Sequence, residues 1–306
     1  MTLRISILTL LLIASYSSPS HAQGEPPDLG RIDTAFIGNA TIRASDEDTS
    51  PVTLSTWTSR MRLLVPLPIR RGALLVGANY FHVLALIDQA DSPVVRQGVH
   101  EVGFALGGVA QIGERWRFAV LAAPSYASDF QGRSRDALNF QAVAKAVVEL
   151  RPHTLRLAFG LAATNQLGRP APLPVFELRW VPQPEVTFWI ALPRGVRFSW
   201  MAKSRWVVAA SVLLEGSRYA IGDPDPRIAA ADTFRRSVLS AGLSLGVRLA
   251  GPLWLEVTGG TTLYRSFELF ESSDESLGRA DVDNAPMVRL ALVVRAAPDT
   301  SYREDR

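Results

Sequence analysis

The chain has 306 residues, with 32 lysine and arginine residues against 29 aspartate and glutamate residues and a formal net charge of +3. It contains no cysteine, which excludes disulfides, thiolate catalysis and cysteine-ligated zinc. All the basic residues except Lys145 and Lys203 are arginine, spread singly instead of clustered, so no nucleic-acid interface is expected.

Residues 1–22 are predicted to be an export signal. Arg4 provides a small positive region, residues 5–14 form an apolar core too short to span a bilayer, and Ser20-His21-Ala22 places small residues at the cleavage position. The mature chain is expected to start near Gln23 with a periplasmic segment, residues 23–30. No later apolar run is long enough to predict a transmembrane helix.

Residues 31–297 alternate apolar residues with small or polar ones. In residues 237–250 the odd-numbered positions from Leu239 to Leu249 are all apolar, whereas serine, glycine and arginine dominate the positions between them. Residues 139–150 and 154–161 repeat this period of two, which is typical of strands with one apolar face. The runs hold for about nine to fifteen residues, enough for a tilted strand to cross hydrocarbon. They predict an all-β fold, a transmembrane antiparallel up-and-down β-barrel of about 12 to 14 strands.

The gaps between these runs are alternately short and long, as in barrels with short periplasmic turns and long external loops. The short gaps are 70–72, 113–114, 151–153, 182–184, 203–205 and 251–252, and the long ones are 44–51, 88–97, 128–136, 165–172, 222–235 and 268–286. Pro193-Arg194-Gly195 is the exception, a short gap where a long one is expected. Both termini are therefore expected in the periplasm of a Gram-negative bacterium, with residues 298–306 as a charged C-terminal tail.

Tryptophans support the same orientation. Trp116, Trp180 and Trp206 share the apolar parity of their strands and lie near short turns, where an interfacial girdle is expected. Trp254 has the opposite parity and is assigned to the lumen.

Charged residues collect on the parity that faces the lumen. The lumen-lining candidates are Arg60, Arg62, Glu101, Arg117, Glu149, Arg156, Glu177, Arg179, Glu185, Arg197, Glu215, Arg248, Glu256, Arg289 and Arg295. Two interpretations remain open: a salt-bridged interior that holds a narrow barrel shut, or a polar path for small solutes.

A proline-punctuated block carries a resemblance to a known family. Pro66-Leu67-Pro68 ends an early strand, and Pro172-Leu173-Pro174 opens a block that continues through Pro193 and Gly195 to residues 215–219. The block also contains Pro182, Pro184 and Trp206. It resembles domain-of-unknown-function family 6268, exported outer-membrane β-barrel proteins without an assigned activity. The resemblance implies fold and location. The final run, 287–296, lacks the terminal aromatic residue usual in bacterial barrels.

No catalytic or metal-binding pattern emerges. His82 and His100 could serve a lipid-modifying barrel enzyme, but a lone histidine at a barrel rim is more often interfacial. Acidic residues at 46–48, 223–225 and 271–275 do not match the spacing of a calcium loop. We expect no enzyme and no cofactor, but either a passive channel for small solutes or a structural surface protein. The alternatives are a barrel hydrolase or a soluble exported β-protein that binds a partner. The expected partners are outer-membrane lipid, lipopolysaccharide and the barrel-assembly machinery, with no nucleic acid and an unknown oligomeric state.

Overall fold

The computed structural model describes residues 28–43, 52–89, 95–131, 137–164, 171–202, 205–222, 232–271 and 276–295. The predicted signal, most of the predicted segment 23–30 and the C-terminal tail lie outside these residues. Within them the chain forms fifteen strands. Their bounds are β1 Asp28–Arg43, β2 Val52–Ile69, β3 Gly72–Gln89, β4 Val95–Ile112, β5 Trp116–Ser128, β6 Leu138–Arg151, β7 Leu155–Thr164, β8 Ala171–Gln183, β9 Val186–Leu192, β10 Gly195–Ala202, β11 Trp206–Ala220, β12 Thr233–Ala250, β13 Leu253–Phe270, β14 Ser276–Val282 and β15 Pro286–Arg295.

The strands form one closed antiparallel barrel. Strands β1 to β13 pair in chain order, and β1 closes the barrel by pairing with both β14 and β15. Strand β13 also pairs with β14 and with β15, so these two segments together occupy one position between β13 and β1. The barrel therefore has fourteen strand positions, which confirms the predicted architecture. We call the end that holds Asp28 and Arg295 the termini end, and the opposite end the loop end.

Two predicted boundaries differ from the structure. The first strand starts at Asp28, three residues before the predicted start of the barrel. The predicted loop 268–286 was wrong in part, because β13 runs to Phe270 and β14 occupies residues 276–282. Strand β14 reads Ser-Leu-Gly-Arg-Ala-Asp-Val and is exposed along most of its length. It lacks the apolar face that marks the other strands, which is why the alternation missed it.

Apolar side chains cover the outside of the barrel. Leu243 is 68% exposed, although it lies in the middle of a strand, and Phe104 is 60% exposed. Trp116, Trp180 and Trp206 also face outward, whereas Trp254 is buried inside, as their parities predicted. An apolar exterior on strands of up to eighteen residues is the surface that hydrocarbon requires.

Apolar side chains also fill the lumen near the loop end. Tyr219 packs in one buried cluster with Phe81, Val83, Val99 and Ala127. A second buried cluster, formed by Ile37, Ala40, Leu54, Val282, Ala285 and Met287, lies against Phe267. Phe234 connects the two, because its ring stacks on Tyr219 at 6.2 Å and on Phe267 at 5.4 Å. We refer to these two clusters and Phe234 as the apolar plug.

The wall is uneven in height because the β9–β10 hairpin is short. Strands β9 and β10 have seven and eight residues, and their turn reaches only as far as Leu214, whose N–H donates to the carbonyl of Arg194 at 2.8 Å. Strand β11 continues six residues beyond that point to Ala220. There it pairs with Ser128 at the end of β5, a strand that is not its neighbour elsewhere. At the loop end β5 and β11 therefore contact each other directly, without strands β6 to β10 between them, and the barrel is narrower there.

Both Pro-Leu-Pro segments lie on strand edges without a partner among the described residues. Strand β8 pairs with β9 only from Phe176 onward, and β2 pairs with β1 only as far as Leu63. The N–H of Val181 donates to the carbonyl of Thr154, directly before β7, so odd-numbered residues of β8 bond toward β7 and even-numbered ones toward β9. Pro172 and Pro174 are even-numbered and lie on the open edge. Proline has no N–H, so these edges carry fewer unpaired donors.

Candidate functional site: the charged lumen cavity

Below the apolar plug the lumen contains a cavity of about 450 Å³. It is lined by residues of opposite walls, because the inward parity of every strand points toward the same axis. The charged residues that line it are Arg31, Arg60, Arg62, Arg194, Arg197, Arg236, Arg289, Asp28, Glu101, Glu215 and Glu256. Seven arginines thus face four carboxylates, an excess of three positive charges among the described lining residues.

Glu215 is the central carboxylate of this cavity. It accepts a hydrogen bond from Nη1 of Arg60 at 3.1 Å and lies 3.4 Å from Nη2 of Arg289. Arg289 also pairs with Asp33 at 3.8 Å. These contacts connect β11 with β2 and β15, which are not adjacent in the sheet. The interaction therefore spans the lumen instead of following the wall.

A second network lies at the termini end and connects the first and last strands. Glu256 on β13 accepts hydrogen bonds from Arg31 at 3.0 Å and from Arg295 at 2.8 Å, and it pairs with Arg197 at 3.5 Å. The guanidinium of Arg295 also lies 4.9 Å from the ring centroid of Trp254. Glu256 and Arg295 are almost fully buried, so their charges are compensated inside the protein.

A third group of charges follows strands β5 to β8. Glu149 pairs with Arg117 at 3.5 Å and with Arg156 at 3.7 Å. Lys145 lies on the same strand as Glu149, and it contacts Glu177 on β8 at 2.7 Å. The structure therefore brings ten of the fifteen lumen-lining candidates into ion pairs: Arg60, Arg117, Glu149, Arg156, Glu177, Arg197, Glu215, Glu256, Arg289 and Arg295.

The remaining candidates have different surroundings. Glu101 is buried and accepts a hydrogen bond from the hydroxyl of Ser125 at 2.8 Å. Arg62 lines the cavity, and Arg179 lies on β8 opposite Arg156. Glu185 is exposed in the turn between β8 and β9 and is not on the inner face of a strand. Side chains alternate between the inner and outer face only within a strand, so this alternation wrongly assigned the turn residue Glu185 to the lumen.

Arg248 sits near the termini end, away from the cavity lining. Its Nε donates to the carbonyl of Gly251 at 2.6 Å, so this side chain closes the turn between β12 and β13. We assign it a structural contact at this turn.

The lumen also contains charged residues that the lumen-lining candidates omitted. Arg31, Asp33 and Arg236 lie on inner faces, and strand parity could have identified them. Lys145 was on the inner face of a recognised strand but was not selected. Arg194 is different, because it lies in a turn. The one signal for it was the unexpectedly short gap, Pro193-Arg194-Gly195.

The two candidate histidines meet on the outside of the barrel. Their rings stack at 4.4 Å, and the hydroxyl of Tyr80 lies 2.9 Å from Nδ1 of His100. Phe130 continues this aromatic group, 5.4 Å from the His100 ring. Glu101 faces the lumen, so it does not act on His100. The arrangement is typical of aromatic residues at a membrane interface.

In the described part of the chain, no group of three or more metal-ligating side chains comes together. The acidic residues at 46–48 and 223–225 lie outside that part. The same described residues contain no helix of the length and apolarity needed to cross a bilayer.

The closed antiparallel barrel with an apolar outer face and a charged lumen is the fold of outer-membrane β-barrel proteins. Residues 20–284 match the family described as Domain of unknown function (DUF6268), and the protein belongs to that family. No curated protein matches the sequence significantly.

Several solved structures are similar to this chain at low identity. The P. putida toluene transporter TodX is 8% identical, with 88% of this chain and 90% of that chain covered and a TM-score of 0.41. The translocator domain of autotransporter NalP from Neisseria meningitidis is 12% identical, with 87% and 88% covered and a TM-score of 0.35. The outer membrane protease OmpT from Escherichia coli is 9% identical, with 89% and 97% covered and a TM-score of 0.27.

Proposed function

We propose that the protein lies in the outer membrane, with both termini in the periplasm, and acts as a channel for small solutes that is closed by the apolar plug. The single observation that carries the proposal is the position of the charged cavity directly below the plug. The cavity of about 450 Å³ leaves room for a small solute next to charged side chains, which a lumen filled by side chains would not.

The two parts of the lumen have different consequences for a solute. Cavity-lining charges compensate the loss of hydration that a polar solute suffers on entering the barrel. The plug does the opposite, because Tyr219 and Val83 are almost fully buried and present apolar surface to a solute. Passage therefore requires the plug to move, and we propose a gated conductance instead of a permanently open pore.

The proposal assigns no chemical step to the barrel. Outer-membrane lipid and lipopolysaccharide are its proposed contacts on the apolar outer face, and the barrel-assembly machinery is the proposed route of insertion. The histidine pair on the outer face is proposed as an interfacial contact.

Single-channel recording of the purified full chain in planar bilayers tests the proposal. The natural protein is expected to conduct rarely, and a variant that carries Tyr219→Ala and Phe81→Ala is expected to show frequent openings. Phe104→Ala is the matched control, because it removes an aromatic ring of similar size from the lipid-facing side. Heat-modifiable gel migration verifies that each variant is folded.

Two results would contradict the proposal. A folded double variant without current would show that the lumen stays blocked below the plug, as in a purely structural barrel. Steady conductance of the natural protein, unchanged in the double variant, would show that the plug is not the barrier.

A further inference from the structure

We propose that the lumen cavity holds a binding site for a small organic anion with carboxylate or phosphate groups, formed by Arg62, Arg194 and Arg236. The inference deepens the proposed function by naming the class of solute. It rests on that function only for the claim that the bound anion is transported, since binding is a separate property.

The three arginines differ from their neighbours in having no ionic partner among the described residues. Among the described residues, Arg60 and Arg289 pair with Glu215, and Arg31 pairs with Glu256. No described carboxylate lies within 4.0 Å of the guanidinium groups of the three arginines in the proposed site. Their charges equal the excess of three that the cavity lining carries.

Burial makes this excess costly. Arg236 is only 2% exposed, and its Nε has no hydrogen-bond partner although it lines the cavity. On the neighbouring strand β13, Arg265 is 1% exposed, and among the described residues none of its three guanidinium nitrogens has a hydrogen-bond partner. Buried charges in proteins are normally paired or hydrogen-bonded, and an unpaired one costs several kcal/mol. A bound anion would compensate the positive charge of the unpaired arginines that line the cavity.

The short hairpin brings the third arginine to the site. The turn 193–194 ends at the height of the cavity and not at the loop end, because β9 and β10 are truncated. Arg194 bonds through its carbonyl to Leu214, the residue before Glu215, and its side chain lines the cavity. Arg62 on β2 lines the same cavity. Pro193-Arg194-Gly195, the short gap where a long one was expected, therefore places the positive charge of Arg194 in the lumen.

The chemistry of these groups selects the ligand. Guanidinium groups donate paired hydrogen bonds that match the oxygen spacing of carboxylate and phosphate. Cations in a cavity with low-dielectric walls also raise the local concentration of anions. A cavity of about 450 Å³ accommodates a small organic molecule, so the site suits a compact anion with more than one charged group.

Isothermal titration of the full chain in a non-ionic detergent tests the site with three probes. Citrate and inorganic phosphate represent soluble anions, and dihexanoyl phosphatidic acid represents a lipid headgroup. The natural protein is expected to bind at least one probe saturably at millimolar concentration or below. Arg194→Gln and Arg62→Gln are each expected to weaken that binding about tenfold or more, because each removes charge-assisted hydrogen bonds. Arg194→Lys, which keeps the charge, is expected to lose less.

Arg279→Gln is the matched control, since this arginine is exposed near the loop end and pairs with Asp281 outside the cavity. Binding of citrate or phosphate identifies a soluble solute, and binding of phosphatidic acid alone identifies a lipid headgroup. The site is overturned if no probe binds, or if the glutamine variants bind as tightly as the control. The channel proposal can fail while the binding site stands. This is the outcome if the natural protein binds an anion but the folded variant with Tyr219→Ala and Phe81→Ala shows no current.

Discussion

Arg60 on β2 donates a hydrogen bond to Glu215 on β11 across the lumen, at 3.1 Å between Nη1 and Oε1, although 155 residues separate them. Four strand positions lie between these strands on one side of the barrel and eight on the other. The bond therefore shows that the lumen is narrow at the height of the cavity, because two side chains from different walls meet across it. A wide aqueous pore is incompatible with that contact.

Replacement of Glu215 tests how much the barrel depends on this contact. We expect Glu215→Gln to lower the free energy of unfolding by about 1 to 3 kcal/mol, because Arg60 loses its carboxylate partner inside the protein and Arg289 keeps only Asp33. The measurement is urea-induced unfolding in lipid vesicles, followed by tryptophan fluorescence. Glu185→Gln, in an exposed turn, is the control and should leave stability unchanged.

The same replacement makes the cavity more positive, so it should also tighten the binding of citrate or phosphate. A variant that is destabilised but binds these anions more weakly would show that Glu215 orients the arginines instead of neutralising them.

The outer face predicts a depth-dependent cost for charge. Leu243 lies near the middle of β12 and Leu249 one residue before its end, and both face outward. We expect Leu243→Arg to cost about 2 to 4 kcal/mol and Leu249→Arg less than about 1 kcal/mol, as for lipid-facing positions of transmembrane barrels. Unfolding from vesicles measures both. Equal stability of the two variants would contradict a membrane around this face, since arginine on an aqueous surface costs little at either position.

The hairpin that carries Arg194 depends on a glycine. Gly195 has φ near +150°, which residues with a side chain rarely adopt, and a Cβ there would collide with the carbonyl oxygen of Val212. We expect Gly195→Ala to lower stability by about 1 to 3 kcal/mol and to weaken anion binding through displacement of Arg194. Both are measured as above.

Gly259→Ala is the control for this prediction, because no atom lies within 4 Å of an added Cβ at that position. If Gly195→Ala behaved like the control in stability and in binding, the turn would not need this backbone conformation.

Pro172 and Pro174 lie on the open edge of β8, so we expect their replacement to lower the stability of the protein. We expect the double variant Pro172→Thr, Pro174→Val to lose about 1 kcal/mol or more, because it adds two N–H donors at an edge without a described partner and frees the unfolded chain. Pro184→Thr, in an exposed turn, is the control that carries only the unfolded-state effect. A double variant as stable as its control would mean that both donors find partners.

The histidine pair predicts the absence of catalysis. We expect neither the natural protein nor His82→Ala, His100→Ala to hydrolyse phospholipid in mixed micelles, because the pair lies against Tyr80 and Phe130 and no described carboxylate pairs with either ring. Release of fatty acid is the measurement. Hydrolysis by the natural protein that the double variant abolishes would favour the barrel-enzyme alternative.

The strands illustrate what could be predicted and what could not. Alternation identified β12 and its two faces, because a period of two is a local property of the chain. It failed for β14, whose residues are exposed and mostly polar or small, and for Glu185, which lies in a turn. Strand parity also sorted lumen residues from lipid-facing ones, but it carries no information about which lumen residues meet.

The sequence by itself therefore determined an antiparallel barrel with an apolar exterior and charges inside. Only the tertiary structure decided that Tyr219 fills one end of the lumen, that Glu215 meets Arg60, and that Arg194 reaches the cavity from a turn. The physical reason is that these contacts cross the lumen between distant strands. They depend on barrel diameter, on the height at which each strand ends and on the inward course of β11, none of which a local pattern of residues specifies.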